Sequence, residues 1–308
     1  MKTMNISIAA LIIMVLTNVS HAGVFGSNKG VVGEPMKFKI KPFTNNVTVQ
    51  YDSGNVYVNN DTITIIPRIE KISQFIVTEN GVSKRYSVQA ECKKYHRVGV
   101  IGQSNARDLI INGNMVKNLM GGCVKTHILS KGGQNIKALI GNYSEENNTY
   151  SSQLYRDFTA SIGPNEKLDL IIFSQGENNT TYCTKPECTS ADQLAKEWAP
   201  LTEKFLKHVA VKFGVNGVDT KIYMVNLHSM STENPIEAEY LNKENQNGLP
   251  FWNDIKTQQQ IMCDTVLSNC DLINTDGLEM HGDRVHFKTS GYVKMLKIIS
   301  RSYISEYK

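Results

Sequence analysis

A serine follows directly on a short apolar segment, in the tetrapeptide GQSN at positions 102–105. The pattern predicts a buried strand over Val98–Ile101 and a helix over Ser104–Leu119. A hydroxyl at such a strand-to-helix turn lies near N–H groups of the helix N-terminus, which favour a neighbouring negative charge. Ser104 is therefore a candidate nucleophile for acyl transfer, although on this motif alone a helix N-cap is the more frequent role of such a serine.

An aspartate and a histidine lie three residues apart near the C-terminus, at Asp283 and His286. A serine hydroxyl needs a base within hydrogen-bond reach, and imidazole suits that task because it exchanges protons near neutral pH. A carboxylate must hold the other ring nitrogen and stabilise the imidazolium that forms. One turn of chain can present both groups, so this pair is a candidate base with its orienting acid. The alternative is a surface histidine beside a loop carboxylate.

Two glycine-containing polar segments are candidates for stabilising an oxyanion. One is KGGQNI at 131–136, where Gly133 lets the backbone approach a substrate and offer its N–H. The other is SQGENN at 174–179, which provides the side-chain amides of Gln175 and Asn178. Each segment alone also fits an ordinary turn built from glycine and asparagine.

All of these segments follow, or lie close to, predicted strands. From residue 98 onward, short apolar runs alternate with longer helical patterns, which is typical of a parallel sheet covered by helices on both faces. Active sites of such sheets lie at the carboxyl ends of the strands, so we expect the candidate residues to meet at one edge. The polar stretch 228–250 is long for a connection and is interpreted as a lid or binding loop. Besides the first strand and helix, strands are predicted over Val124–Leu129, Leu168–Ser174, Lys221–Leu227 and Leu272–Thr275, and helices over Ser151–Ser161, Ser190–Phe213, Phe251–Leu267 and Ser290–Ile304.

Residues 23–94 have a different pattern, in which short β-prone runs are separated by turn residues. Asn80-Gly81 between two such runs is a strong hairpin signal. The segment is predicted to be a small antiparallel β-domain without a candidate catalytic group. A packing module is favoured over a ligand-binding module, and its partner is unknown. The runs are Met36–Ile40, Val47–Tyr51, Val56–Val58, Thr62–Ile66, Phe75–Thr78 and Tyr86–Ala90.

The N-terminus has the pattern of a signal peptide. Lys2 precedes an apolar run over Ile6–Leu16 that is too short to span a bilayer, and small residues stand at Ser20 and Ala22. We expect cleavage near Ala22 and a secreted or periplasmic mature chain without a membrane span; an N-terminal anchor is the alternative. The predicted divisions are a signal peptide over 1–22, the β-domain over 23–94 and a catalytic domain over 95–308.

The composition is that of a globular protein. Of the 308 residues, 41 % are hydrophobic and 20 % charged, and the formal net charge is +4. No dense Lys/Arg stripe with interleaved aromatics occurs, so nucleic acid is not an expected partner.

Six cysteines accompany the export signal, which favours disulfides. Six cysteines allow 15 pairings. Two pairs are close along the chain, Cys183 with Cys188 and Cys263 with Cys270, and local pairing would leave Cys92 for Cys123. Zinc is the rival interpretation, but neither spacing is CxxC and no histidine pair accompanies the cysteines, so no metal is expected.

Taken together and in order, the four segments resemble the blocks of the SGNH/GDSL hydrolase superfamily. The spellings GQSN, GG-x-x-I and QGE-x-N are most similar to the branch of sialate O-acetylesterases and carbohydrate esterase family six. The resemblance covers roughly residues 97–305 and implies a three-layer α/β/α, flavodoxin-like parallel sheet, preceded here by the small antiparallel β-domain. The sequence departs from the superfamily's GxND block, because Asn179 replaces the final aspartate.

The resemblance also implies a mechanism. Ser104 attacks an ester carbonyl, His286 takes its proton, and Asp283 orients His286. The backbone N–H groups of Ser104 and Gly133 hold the oxyanion together with an amide, which is either Asn178 or Gln175. An acetyl-enzyme then forms and is hydrolysed, and no cofactor is required.

The implied substrate is an O-acetylated glycan, whether sialic acid, plant polysaccharide or cell-wall sugar. One alternative is a short-chain lipase or thioesterase of the same superfamily. Another is a secreted glycan-binding or adhesion protein that uses the fold as a silent scaffold.

Overall fold

The computed structural model describes residues 23–41, 47–67, 71–115, 119, 123–179, 190–214, 219–242 and 248–307. The predicted signal peptide and the pair Cys183–Cys188 lie outside these residues. The strands are β1 (Gly23–Phe25), β2 (Lys29–Val31), β3 (Met36–Lys41), β4 (Val47–Tyr51), β5 (Gly54–Asn59), β6 (Thr62–Pro67), β7 (Lys71–Glu79), β8 (Val82–Glu91), β9 (His96–Gly102), β10 (Val124–Ser130), β11 (Tyr143–Ser144), β12 (Thr149–Tyr150), β13 (Leu170–Ser174), β14 (Lys221–Val225) and β15 (Cys270–Ile273). The α-helices are α1 (Ser104–Ile111), α2 (Ile136–Ile140), α3 (Gln153–Ile162), α4 (Ala191–Phe213), α5 (Pro235–Leu241), α6 (Trp252–Ile261) and α7 (Thr289–Tyr307).

The C-terminal part is built on a parallel sheet of order β10-β9-β13-β14-β15. This is the flavodoxin-like 2-1-3-4-5 order, in which the chain direction across the sheet reverses between β9 and β13. The register places Ser130, Gly102 and Ser174 side by side at the carboxyl ends of the first three strands. The segments that follow these residues therefore start at one edge of the sheet.

Helices cover both faces of this sheet because its central strands are apolar on both sides. Every residue of β13, Leu170–Ser174, is buried. On one face α1 and α7 pack through residues such as Leu109 and Leu296. On the other face α3, α4 and α6 pack through residues such as Phe158 and Trp198. The predicted three-layer α/β/α class is confirmed.

Two four-stranded sheets form the N-terminal part, in the orders β1-β3-β6-β5 and β2-β8-β7-β4. They share one apolar core, in which the rings of Phe38 and Phe75 lie 5.1 Å apart between centroids. The predicted hairpin is present: Asn80 and Gly81 join β7 to β8 with φ angles of 50° and 79°, as a two-residue hairpin turn requires. Pairing is antiparallel throughout except between β2 and β8.

Disulfides join Cys92 to Cys123 and Cys263 to Cys270. In the described ranges, no group of three or more histidine, cysteine, aspartate or glutamate side chains is arranged to hold a metal ion. None of the helices in the described part of the chain is long and apolar enough to cross a membrane.

Three sequence predictions need correction. The first helix ends at Ile111 instead of Leu119, because Asn112, Gly113 and Asn114 form a turn and Asn114 has a φ of 47°. The predicted helix Phe251–Leu267 is α-helical only over α6 and continues as a π-helical turn to Val266. The stretch 228–250, expected to lack regular structure, contains helix α5, whose N-cap Asn234 accepts hydrogen bonds from the backbone of Ile236 and Glu237.

Candidate active site

Ser104 is the first residue of α1 and comes two residues after β9 ends at Gly102. Gly102 has a φ of +148°, and a Cβ there would overlap the carbonyl oxygen of Ser174 on β13. Gln103 continues the contact between the two strands, since its backbone N–H donates to the same carbonyl at 3.1 Å. Glycine is therefore required at the point where the chain turns from strand to helix, and this turn leaves Ser104 half-buried at the sheet edge.

The histidine of the predicted pair reaches the serine across 182 positions of sequence. His286 Nε2 lies 2.8 Å from Ser104 Oγ, and His286 Nδ1 lies 2.7 Å from Asp283 Oδ2. Oxygen Oδ1 of the same aspartate accepts the backbone N–H groups of Val285 and His286, each at 3.0 Å. Burial alone would raise the pKa of Asp283, but these N–H groups and the histidine ring hold it below its usual value. The carboxylate is thus kept charged beside the ring.

The loop that carries this pair is a tight reversal of the chain. Met280 and Phe287 form an antiparallel bridge, and the N–H of His281 donates to the carbonyl of His286 at 2.8 Å. At the tip, Arg284 has a φ of +54°. This reversal brings Asp283 and His286 to the same side of the loop, which faces the start of α1.

Asn105 ties this loop to the serine. Its Nδ2 donates to the carbonyl of Val285 at 3.0 Å and to Glu177 Oε1 at 2.6 Å, and its Oδ1 accepts the hydroxyl of Tyr292 at 2.7 Å. Glu177 is buried, which raises the pKa of its carboxyl group. Asn105 and Glu177 belong to the GQSN and QGEN segments, but the sequence alone predicts no role for either residue. Their role as a buried bridge depends on contacts between residues far apart in the chain.

Gly133 and Asn178 meet at the same edge of the sheet. Asn178 Nδ2 donates to the carbonyl of Gly133 at 2.8 Å, and the backbone N–H of Asn178 donates to Gln103 Oε1 at 3.3 Å. Gly133 has a φ of +68°, and among the described residues no atom beyond its two chain neighbours lies within 4 Å of where its Cβ would be. An open backbone and an amide therefore lie next to the turn that carries Ser104.

Gln175, the alternative amide, points into the protein. It is fully buried, its Nε2 donates to Asn179 Oδ1 at 2.7 Å, and its Oε1 accepts the indole N–H of Trp198 at 2.5 Å. Asn179, which replaces the aspartate of the superfamily block, also accepts the N–H of Ile136 at 3.0 Å. Both residues thus fix the loop after β13 from within, and of the two candidate amides only Asn178 lies beside Gly133.

Chemically, the arrangement is a hydroxyl in contact with an imidazole that a carboxylate orients, next to a helix N-terminus and an amide. Such a set can activate a serine for attack on a carbonyl and offer donors to the negative oxygen that results. The fold and the arrangement of this site are those of the SGNH-type hydrolases.

Comparison with known proteins gives the family. Residues 113–305 match the family described as "carbohydrate esterase, sialic acid-specific acetylesterase". The chain belongs to this family and is a carbohydrate esterase. The matched region includes Gly133, Asn178, Asp283 and His286, and it begins after Ser104. No curated protein sequence matches the chain significantly.

Several solved structures are similar to this chain. One is a carbohydrate acetylesterase from Sinorhizobium meliloti, which is 17 % identical with a TM-score of 0.43, over 68 % of this chain and 99 % of the other. A carbohydrate esterase family 2 enzyme with a carbohydrate binding domain, from Corynascus thermopiles (Myceliophthora fergusii), is 12 % identical with a TM-score of 0.45, over 90 % of this chain and 92 % of the other. A protein from Arabidopsis thaliana is 16 % identical with a TM-score of 0.42, over 64 % of this chain and 67 % of its own.

Proposed function

We propose that this carbohydrate esterase is a secreted serine esterase that removes O-acetyl groups from a glycan through an acetyl-enzyme. One observation carries the proposal: Ser104, His286 and Asp283 form a continuous hydrogen-bonded series, with separations of 2.8 and 2.7 Å. Membership of a family of sugar-directed acetylesterases supports acetate as the group released.

In the proposed reaction, His286 takes the proton of Ser104 while the hydroxyl attacks the acetyl carbonyl. The charged Asp283 stabilises the imidazolium that forms. The N–H groups of Ser104 and Gly133 and the amide of Asn178 bind the oxyanion, and each such donor lowers the barrier by about 3–4 kcal/mol. As the bond between the acetyl carbon and the sugar oxygen breaks, His286 donates its proton to that oxygen and the sugar leaves as an alcohol. Water, deprotonated by His286, then attacks the acetyl-serine, which releases acetate and restores the hydroxyl of Ser104.

Secretion and domain organisation are part of the proposal. Residues 1–22 serve as a signal peptide, residues 23–94 as a β-domain and residues 95–308 as the esterase domain. The disulfides Cys92–Cys123 and Cys263–Cys270 support an oxidising compartment, because cytosolic thiols are normally kept reduced.

The test uses purified mature protein and a panel of esters. Release of the alcohol should be faster from acetyl esters than from octanoyl esters of the same alcohol. Acetate release from a panel of O-acetylated sialic acids and neutral glycans identifies the sugar. A preference for octanoyl esters would move the assignment to lipase. Glycan binding without acetate release would favour the silent scaffold.

A further inference from the structure

The loop with Asp283 and His286 contains a backbone conformation that arginine seldom adopts. Arg284 has a φ of +54°, in the left-handed region. Among the described non-glycine residues, the others with positive φ are all asparagines, at 60, 80, 114 and 148. Asparagine tolerates this region, whereas a long side chain meets a steric penalty there. Contacts elsewhere must therefore hold Arg284 in place.

The backbone N–H of Arg284 donates to the carbonyl of His281 at 3.1 Å, and a buried carboxylate on α5 holds the side chain. Glu237 is 2 % exposed, and its Oε1 accepts Arg284 Nε at 2.6 Å and also contacts Arg284 Nη2. Its other oxygen, Oε2, accepts the backbone N–H of Ser231 at 2.9 Å. The ring of His228 lies 4.0 Å from the same carboxylate, but burial lowers the pKa of this histidine to about 4. Near pH 7 the guanidinium is thus the cation that pairs with Glu237.

The backbone conformation of Arg284 determines how the residues next to it are oriented. The reversal at Arg284 directs the N–H groups of Val285 and His286 back to Asp283 Oδ1, at 3.0 Å each. The same reversal points the ring of His286 at Ser104 Oγ. A relaxed Arg284 would turn these N–H groups away and move the ring from the serine.

We infer that Glu237 is a positioning residue, which holds Arg284 in the left-handed conformation and thereby aligns Asp283 and His286 with Ser104. The inference rests on the proposed function, because it assigns a role in activating the same serine. It gives helix α5 the role of a support for the reacting groups.

The test compares glycine with alanine at position 284 after the ion pair has been removed. Both double variants, Glu237→Gln with Arg284→Gly and Glu237→Gln with Arg284→Ala, lack both charges, so neither leaves an unpaired buried ion. They differ in one methyl group and in how readily they adopt positive φ. The glycine form should have a kcat about tenfold above that of the alanine form, which is the ratio expected from the steric penalty of the left-handed region. KM for the acetyl ester should differ little, because neither residue is placed against the substrate.

Two further measurements accompany the comparison. The rate at which a fluorophosphonate labels Ser104, by forming a P–O bond with loss of fluoride, should show the same ratio. Melting temperatures establish that both variants are folded. Removal of the exposed pair Glu203–Lys207 on α4 is the matched control and should leave kcat unchanged.

The outcomes separate the two claims. Equal kcat and equal labelling in the two folded double variants would overturn the role of Glu237, as would a loss confined to KM. If the wild type releases no acetate but the two double variants differ tenfold in the labelling of Ser104, the proposed function is refuted and the positioning role is supported. If the wild type neither turns over esters nor labels at Ser104, both claims are wrong.

Discussion

Replacing Asn178 with alanine should slow the reaction without unfolding the protein. Its amide donates to the carbonyl of Gly133 at 2.8 Å and thus lies beside the backbone that is proposed to bind the oxyanion. Loss of one oxyanion donor lowers kcat by about 10²–10³. Asn178 is half-buried, so loss of its hydrogen bond to Gly133, which is worth about 1 kcal/mol, should lower the melting temperature by only roughly 2–4 °C.

The matched variant is Gln175→Met, which keeps the volume of the side chain and removes its amide. Its two hydrogen bonds, to Asn179 at 2.7 Å and from Trp198 at 2.5 Å, are fully buried. The buried groups of Asn179 and Trp198 that lose their partner lower the free energy of unfolding by about 2–4 kcal/mol in total. That lowers the melting temperature by roughly 4–16 °C in a domain of this size class.

Both variants are assayed for the initial rate of acetate release and for thermal unfolding followed by circular dichroism. The expected pattern is crossed, with Asn178→Ala losing kcat and Gln175→Met losing stability. The assignment of Asn178 as the oxyanion amide would be refuted by the opposite pattern. In that pattern, Asn178→Ala keeps kcat within threefold of wild type, and Gln175→Met keeps the wild-type melting temperature but has a kcat a hundredfold lower.

Three other outcomes are expected. Asp283→Asn should lower kcat by about 10⁴, because an amide in place of the carboxylate favours the wrong tautomer of His286; a rate within tenfold of wild type would show that the acid is dispensable. Burial lowers the pKa of His228 from 6.5 to about 4, so the unfolded chain binds the extra proton and stability falls as the pH drops from 6.5 towards 4. In urea unfolding, His228→Leu should reduce the slope of the free energy of unfolding against pH by up to about 1.4 kcal/mol per pH unit in this range. An unchanged slope would contradict a buried, neutral His228 ring. Peptide mapping without reductant should find Cys183 linked to Cys188, whereas free thiols there would weaken the case for export.

The proximity of Ser104 to Asp283 and His286 could be predicted because the segments that follow parallel strands meet at one edge of the sheet. Ser104 follows an apolar run, and Asp283 and His286 share one turn. The order of the four sequence segments and their positions relative to the predicted strands therefore indicate where these residues meet. The hairpin at Asn80-Gly81 was equally local, since the turn type depends on two residues. The three-residue strands β1 and β2 were missed because such short segments show no periodicity.

Other features depend on tertiary contacts that leave no local signal. The choice between Asn178 and Gln175 was open because the indole of Trp198, which engages Gln175, comes from a distant helix. Glu237 lies in a stretch whose polar composition indicated a loop, and its importance depends on a side chain 47 positions away. The first helix was predicted too long because apolar residues continue past the turn at 112–114.

The most direct test of the serine esterase assignment compares wild type with Ser104→Ala, which removes the hydroxyl that lies 2.8 Å from His286. Acetate released from a small acetyl ester is measured for both proteins after each has been shown to be folded. We expect kcat to fall by about 10⁴–10⁶, the loss typical when a serine nucleophile is removed. Equal turnover by the two proteins would contradict Ser104 as the nucleophile.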